Sequence, residues 1–184
     1  MALTTSTPFN STKKAPDFNL LNTVTFEMNS LQDLKGADGT VILFICNHCP
    51  YVIHINNFLV LLANTYPTKG INFIAISSND VVNYPQDSPE KMKVLAEKVG
   101  YPFPYLYDET QEVAKAYDAA CTPDIFLFDK NLNIFYHGQL DDSRPENGIP
   151  VTGKDLIPAM DLLLEDKSFV GKELPSMGCG IKWK

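Results

Sequence analysis

The sequence predicts an α/β protein: a three-layer α/β/α sandwich with a mixed central sheet, an N-terminal hairpin extension and an irregular C-terminal tail. Three observations lead there. The run Val41-Ile42-Leu43-Phe44-Ile45 is continuously apolar, residues 71–76 are apolar except for Asn72, and both are rich in β-branched side chains, as strands buried on both faces are. Between them Val52, Ile55, Leu59 and Leu62 recur at spacings of three and four, which marks a helix and implies a right-handed parallel crossover. Further on, residues 125–128 and 132–136 flank Asp129-Lys130-Asn131 as the arms of an antiparallel hairpin. Parallel strands followed by an antiparallel pair, with helices between, give one mixed sheet covered on both faces.

The remaining elements follow in order. Residues 1–16 are rich in Ser and Thr and are expected to be loose; residues 18–21 and 24–28, separated by Asn22-Thr23, read as a hairpin. After Ser77-Ser78 comes a polar stretch, then a helix with Ser88 as N-cap, Pro89 in its first turn, Met92, Leu95, Ala96 and Val99 on one face, and Gly100 as its stop. Residues 105–107 suit a short strand and 109–117 a helix. Leu156, Met160, Leu163 and Leu164 outline a closing helix, and the tail runs from about Lys167. No repeat or linker divides the chain, so residues 1–184 read as a single domain.

Composition excludes some functions. The net charge is −7 and the single arginine is Arg144, so a nucleic acid partner is not expected. The N-terminus lacks the apolar core of a secretory signal. The apolar runs are strand-length, far short of the ~18 residues of a membrane span. No membrane partner is expected, and the expected location is cytoplasmic. There, paired cysteines are catalytic or metal-binding more often than structural.

Cys46-Asn47-His48-Cys49 carries the chemistry. It follows the first buried strand and opens the amphipathic segment, where unpaired N–H groups and the helix dipole stabilise a thiolate, the nucleophile of disulfide exchange. A CxxC at a strand-to-helix junction is a strong sign of a redox dithiol.

The order strand, CxxC helix, strand, helix, Thr122-Pro123, hairpin and last helix resembles the thioredoxin-like redoxin family. Residues 103–108, 113–117 and 121–129 resemble its branch related to alkyl hydroperoxide reductase and thiol-specific antioxidant. Residues 141–145 and 177–184, with the CNHC dithiol, are similar to a bacterial subgroup of that branch. The resemblance implies a thiol-disulfide oxidoreductase in which Cys46 attacks, Cys49 resolves and Pro123 is a cis-proline facing the dithiol. It further implies that Thr122 offers its backbone to an extended peptide. No bound cofactor is implied; the substrate would be a protein or small-molecule disulfide, re-reduced by a thioredoxin, glutaredoxin or glutathione system. Ile45, Tyr51 and Phe103 are the candidate apolar contacts for such a substrate.

The chain departs from family patterns in places. Thr40 stands where thioredoxin has a buried aspartate, so Cys49 needs another proton route. The peroxidase pattern Pro-x-x-x-Thr-x-x-Cys is absent, with Ile42 at the proline and Cys46 at the threonine, which leaves slow peroxidase chemistry as an alternative. His48 occupies the place of the histidine in the Cys-Pro-His-Cys dithiols of periplasmic oxidases. It is expected to lower the Cys46 pKa from ~8.5 and make the couple more oxidising than thioredoxin's.

Other residues have simpler readings beside functional ones. Cys121 is a candidate accessory thiol or a small buried hydrophobe. Cys179, between Gly178 and Gly180, is a candidate third redox thiol or a passive tail cysteine. Arg144 is expected in a structural pair with Asp141 or Asp142. His54 is expected to be partly exposed or hydrogen-bonded, and His137 to lie at the surface. Four cysteines with His48 and His54 would also suit Zn²⁺ or Cu⁺, but there is no second CxxC and Pro50 follows Cys49, so no metal site is expected. A redox-regulated interaction module is the third alternative.

Overall fold

The computed structural model describes residues 3–7 and 14–184. In chain order the elements are β1 (Leu3–Thr5), β2 (Asn19–Asn22), β3 (Met28–Ser30), α1 (Leu31–Leu34), β4 (Gly39–Phe44) and α2 (Pro50–Thr65). Next come β5 (Ile71–Ser77), α3 (Pro89–Val99), β6 (Tyr105–Tyr107), α4 (Glu112–Ala116), β7 (Cys121–Thr122), β8 (Asp124–Asp129), β9 (Ile134–His137), α5 (Leu156–Leu164) and β10 (Met177–Gly180). Seven strands form one sheet in the order β3-β2-β6-β5-β4-β8-β9, parallel at β4–β5 and β5–β6 and antiparallel elsewhere. A smaller antiparallel sheet has the order β1-β10-β7.

Alternation along the strands divides the core in two. Val41, Leu43 and Ile45 join Phe73, Ala75, Ile125 and Leu127 beneath the apolar faces of α2, α3 and α5. Ile42 and Phe44 join Ile74, Ile76, Phe126 and Phe128 on the other face, with Leu31 of α1 and Ala114 of α4. Because both faces are covered, β4 has no polar phase and appears in the sequence as an unbroken apolar run. Each fully buried large aliphatic side chain contributes roughly 1.5–3 kcal/mol. Three layers and a mixed sheet are therefore as expected.

The helix ends follow local chemistry. Pro50 occupies the first turn of α2, and Gly100 closes α3 at φ 76°, a left-handed position that suits a residue without Cβ. Ser88 precedes α3, although its hydroxyl bonds Glu90 Oε2 at 2.7 Å rather than a backbone N–H.

Several expectations shift. The N-terminal hairpin forms, but its second arm begins at Met28: Thr23 donates to the Tyr105 carbonyl, the Asn22 side chain accepts from Val24 N–H, and Phe26 turns at φ 59°. The helix expected over 109–117 shortens to α4, because Gln111 lies at φ 65° and the Asp108 carboxylate accepts from Ala114 N–H. The terminal regions contribute order that their composition hides: Leu3–Thr5 is a strand, and so is Met177–Gly180 within the tail read as irregular. Residues 8–13 of the expected loose N-terminus lie outside the described residues. His137 is not a surface residue; it is buried, 2.8 Å from Asp124 Oδ1, with its ring 4.0 Å from that of Phe126. No helix among the described residues is long and apolar enough to cross a membrane.

Candidate active site

Ile45 N–H still bonds the Ile76 carbonyl, so the chain leaves the sheet at Cys46. Three residues on, Cys49 is the N-cap of α2 with extended backbone angles, followed by Pro50, whose missing N–H is harmless in a first turn. Thr122-Pro123, a cis peptide, lies between β7 and β8. The Phe44–Asp124 pairing sets that bend beside the end of β4.

Both sulfurs of the motif meet Thr122. Cys46 Sγ lies 3.4 Å from its hydroxyl and Cys49 Sγ 3.0 Å from its carbonyl oxygen. Cys49 Sγ is also 3.0 Å from Cys179 Sγ. Cys121 is buried next to this group, its Sγ 3.5 Å from the Pro123 carbonyl. Four thiols from three separate stretches of the chain form one buried neighbourhood, with Cys46 only 1% exposed and Cys49 fully enclosed.

The two sulfurs of the motif differ electrically. As a thiol, Cys49 donates to the Thr122 carbonyl; as a thiolate, it accepts from the Cys46 and Cys179 thiols, the Thr122 hydroxyl and Val52 N–H. The Cys46 hydrogen bond is the largest of these influences, and together they outweigh burial and push Cys49 down to about 5. Cys46 moves the opposite way, first because it keeps the shared proton, then through burial and the negative charge of Asp87. Cys179 is pushed up to about 12 by burial and by its bond to Cys49. Burial, followed by the charge of Asp124, also raises Cys121.

Asp87 is the residue that sequence reading missed. It ends a 3-10 turn, Pro85–Asp87, and is completely buried. Its carboxylate accepts from Asn47 N–H and Asn79 Nδ2, both at 2.8 Å, and Oδ2 lies 2.8 Å from His48 Nδ1, out of line with the ring N–H. Asn47 is bound further through Nδ2 to the Gln86 carbonyl and through Oδ1 to Tyr105 hydroxyl. Polar residues 79–88 thus hold the dithiol loop from above, where the sequence read only as a polar stretch. Two prolines around Ser88 were the one signal that this stretch is pinned.

The influences on Cys46 run against the lowering expected from His48, which lies between that thiol and Asp87. His48 directs Nδ1 to Asp87, and its ring stacks on Tyr84 at 5.8 Å. The nearby carboxylate disfavours a Cys46 thiolate. Thr40 offers no substitute for an aspartate, since its hydroxyl accepts from Gly36 N–H.

Other candidates separate into those near the site and those in the framework. Thr122 and Pro123 adjoin the dithiol, but Thr122 is already paired with Cys179 of β10, so the backbone expected to receive a peptide carries the protein's own strand. Ile45 and Phe103 are core residues rather than substrate surface; Tyr51 is half-buried. Arg144 donates to the Asp141 and Ser143 carbonyls and to Gln139 Oε1, a loop clamp on backbone oxygens instead of the expected carboxylate pair. His54 bonds Ser143 Oγ at 2.7 Å, away from the thiols. Cys46, His48 and Asp87 bring potential metal-ligand atoms within 4.8 Å of one another, although both Asp87 oxygens already accept hydrogen bonds.

The mixed sheet, the dithiol at a strand-to-helix turn and the adjacent cis-proline define a thioredoxin-like protein. The chain belongs to the AhpC/TSA family, whose pattern matches residues 12–137. The crystal structure of an uncharacterized conserved protein from Geobacillus kaustophilus is 58% identical and covers 100% of this chain and 97% of its own, with a TM-score of 0.97. A putative thioredoxin from Neisseria meningitidis is 24% identical, covers 83% of this chain and 90% of its own, and shares the fold with a TM-score of 0.63. Thiol-disulfide oxidoreductase ResA of Geobacillus kaustophilus (strain HTA426) is 31% identical over 117 residues, 64% of this chain. That alignment spans 62% of the ResA protein, less than two thirds of its length.

Proposed function

We propose that the chain is a thiol-disulfide oxidoreductase whose working pair is Cys46 and Cys49. The observation that carries this reading is a pair of buried thiols at the strand-to-helix turn, both touching Thr122 beside a cis-proline. In the reduced protein Cys49 is the base. Cys46 gives it a proton and attacks a substrate disulfide; one substrate sulfur leaves as a thiolate and the other stays bound to Cys46. Cys49 then loses its proton to the departing thiolate, attacks Cys46 Sγ and expels the second substrate sulfur, leaving a Cys46–Cys49 disulfide. Two electrons pass to the substrate. An external dithiol or glutathione system returns them, and a cytoplasmic setting belongs to the same proposal.

Cys46 is almost sealed, so in this reading the segment carrying Tyr84 and Asp87 yields when a substrate arrives. The test is insulin disulfide reduction driven by dithiothreitol, with Cys46→Ser and Cys49→Ser beside the intact chain. Turnover is expected from the intact chain and background from both variants, with Cys49→Ser accumulating a mixed disulfide on Cys46. Undiminished turnover by Cys46→Ser would reject the mechanism.

A further inference from the structure

Cys49 has two sulfur neighbours, and the mechanism above uses one. The second, Cys179, lies 3.0 Å away across a sequence separation of 130 residues. Its position is built rather than incidental. β10 is paired on both sides, with Leu3 of β1 and with Thr122 of β7 opposite Cys179 itself. Gly178 permits the approach: a Cβ there would stand 2.0 Å from the Thr122 carbonyl oxygen, which no side chain could tolerate without moving the strand. Cys46 and Cys179 each act on Cys49, and Cys179 does so from direct contact of the two sulfurs. Cys49 is thus the common neighbour of two thiols.

We infer that Cys179 is a third redox thiol that takes the disulfide from the active-site pair, so that the oxidised protein exchanges between Cys46–Cys49 and Cys49–Cys179 forms. This deepens the oxidoreductase reading and rests on it. In the step, Cys179 gives its proton to solvent and its thiolate attacks Cys49 Sγ. The Cys49–Cys179 bond forms, the Cys46–Cys49 bond breaks, and Cys46 leaves as a thiolate that takes up a proton. One disulfide replaces another, so no oxidant or reductant is consumed. The sulfurs have about 1 Å to travel from their present separation to a bonded distance near 2.05 Å. The consequence is regulatory: the second form ties β10 to the start of α2, holds the oxidised state away from Cys46, and leaves Cys46 able to begin but not to resolve an exchange.

The test uses the full chain oxidised in glutathione buffers, alkylated, digested with trypsin and mapped by mass spectrometry. Trypsin leaves Cys46 and Cys49 in one peptide and Cys179 in another, so a cross-linked pair reports Cys179 directly, and fragmentation identifies its partner. The intact chain is expected to give both the looped Cys46–Cys49 peptide and the Cys49–Cys179 cross-link. Cys46→Ser and Cys46→Ala should each give the cross-link alone, within a monomer, and Cys179→Ser should lose it entirely. The intact chain requires no substitution, so a variant that misfolds does not spoil the test. A looped peptide with no cross-link in the intact chain overturns the inference and leaves the oxidoreductase reading standing. Absence of the looped peptide from both the intact chain and Cys179→Ser overturns that reading, and the inference with it.

Discussion

The surroundings of Cys46 and Cys49 differ sharply although the two residues are three positions apart. Cys46 faces a polar cap made by Asn47 and His48 of its own loop and by Asn79 and Asp87 from the loop between β5 and α3. Cys49 faces the helix N-terminus and the small sheet, where Thr122, Val52 N–H and Cys179 present donors. A carboxylate on one side and several donors on the other push the two thiols in opposite directions. Position within a CxxC therefore does not by itself assign the low pKa; the elements packed against each sulfur do.

The largest effect that would expose this asymmetry comes from pH. Cys49 is depressed from an ordinary 9.0 to about 5, so its ionisation stabilises the fold fully above pH 9 and progressively less as pH falls through 5. Cys46 is raised, so its contribution has the opposite sign and is lost as pH climbs above 9. Denaturation midpoints of the intact chain and Cys49→Ala should differ more at pH 8 than at pH 5; an equal gap would break the comparison. A far-ultraviolet thiolate titration with one transition near 5, abolished in Cys49→Ala, would sharpen it.

Next in size is the polar cap. Asp87→Ala strands buried donors of Asn47 and Asn79 and should cost roughly 3–5 kcal/mol in chemical denaturation. Asp87→Asn should cost less and raise the rate of Cys46 alkylation, because the charge that disfavours its thiolate is gone; an unchanged rate would remove Asp87 from the account. On the opposite side, Gly178→Ala forces β10 away from Thr122 and should cost about 1–3 kcal/mol. It should also raise the Cys49 pKa toward the ordinary thiol value as Cys179 withdraws. The smallest effect is expected at Arg144, which clamps a loop and touches neither sulfur. Arg144→Ala should lower stability by about 1–2 kcal/mol and leave both thiol titrations in place.

The sequence was informative where structure is local. The two-sided burial of β4 and β5 was visible as apolar runs, interrupted in β5 by Asn72, the stripe of α2 as a helical period, and the stop of α3 as Gly100. The strand-to-helix placement of Cys46 and Cys49 followed from the same patterns. Asp87 was not legible, because an aspartate in a polar, proline-flanked stretch reads as solvated until the Asn47 loop is laid against it. His137 was misread for the same reason: its burial depends on Asp124 and Phe126 across the β8–β9 pair.

Strands β1 and β10 show the limit most clearly. Each is a few residues of weak strand character, and β10 is half glycine. Neither forms by propensity; β1 pairs with β10, and β10 is completed on its other edge by β7. The amino-acid sequence by itself determined the layers and the dithiol, since these arise from periodicity and short spacing, while the proline opposite the dithiol followed from the family resemblance. Tertiary structure alone decided which sulfur holds the proton and that a third thiol lies against it. Charge and contact act across space, between residues as far apart in the chain as Cys49 and Cys179.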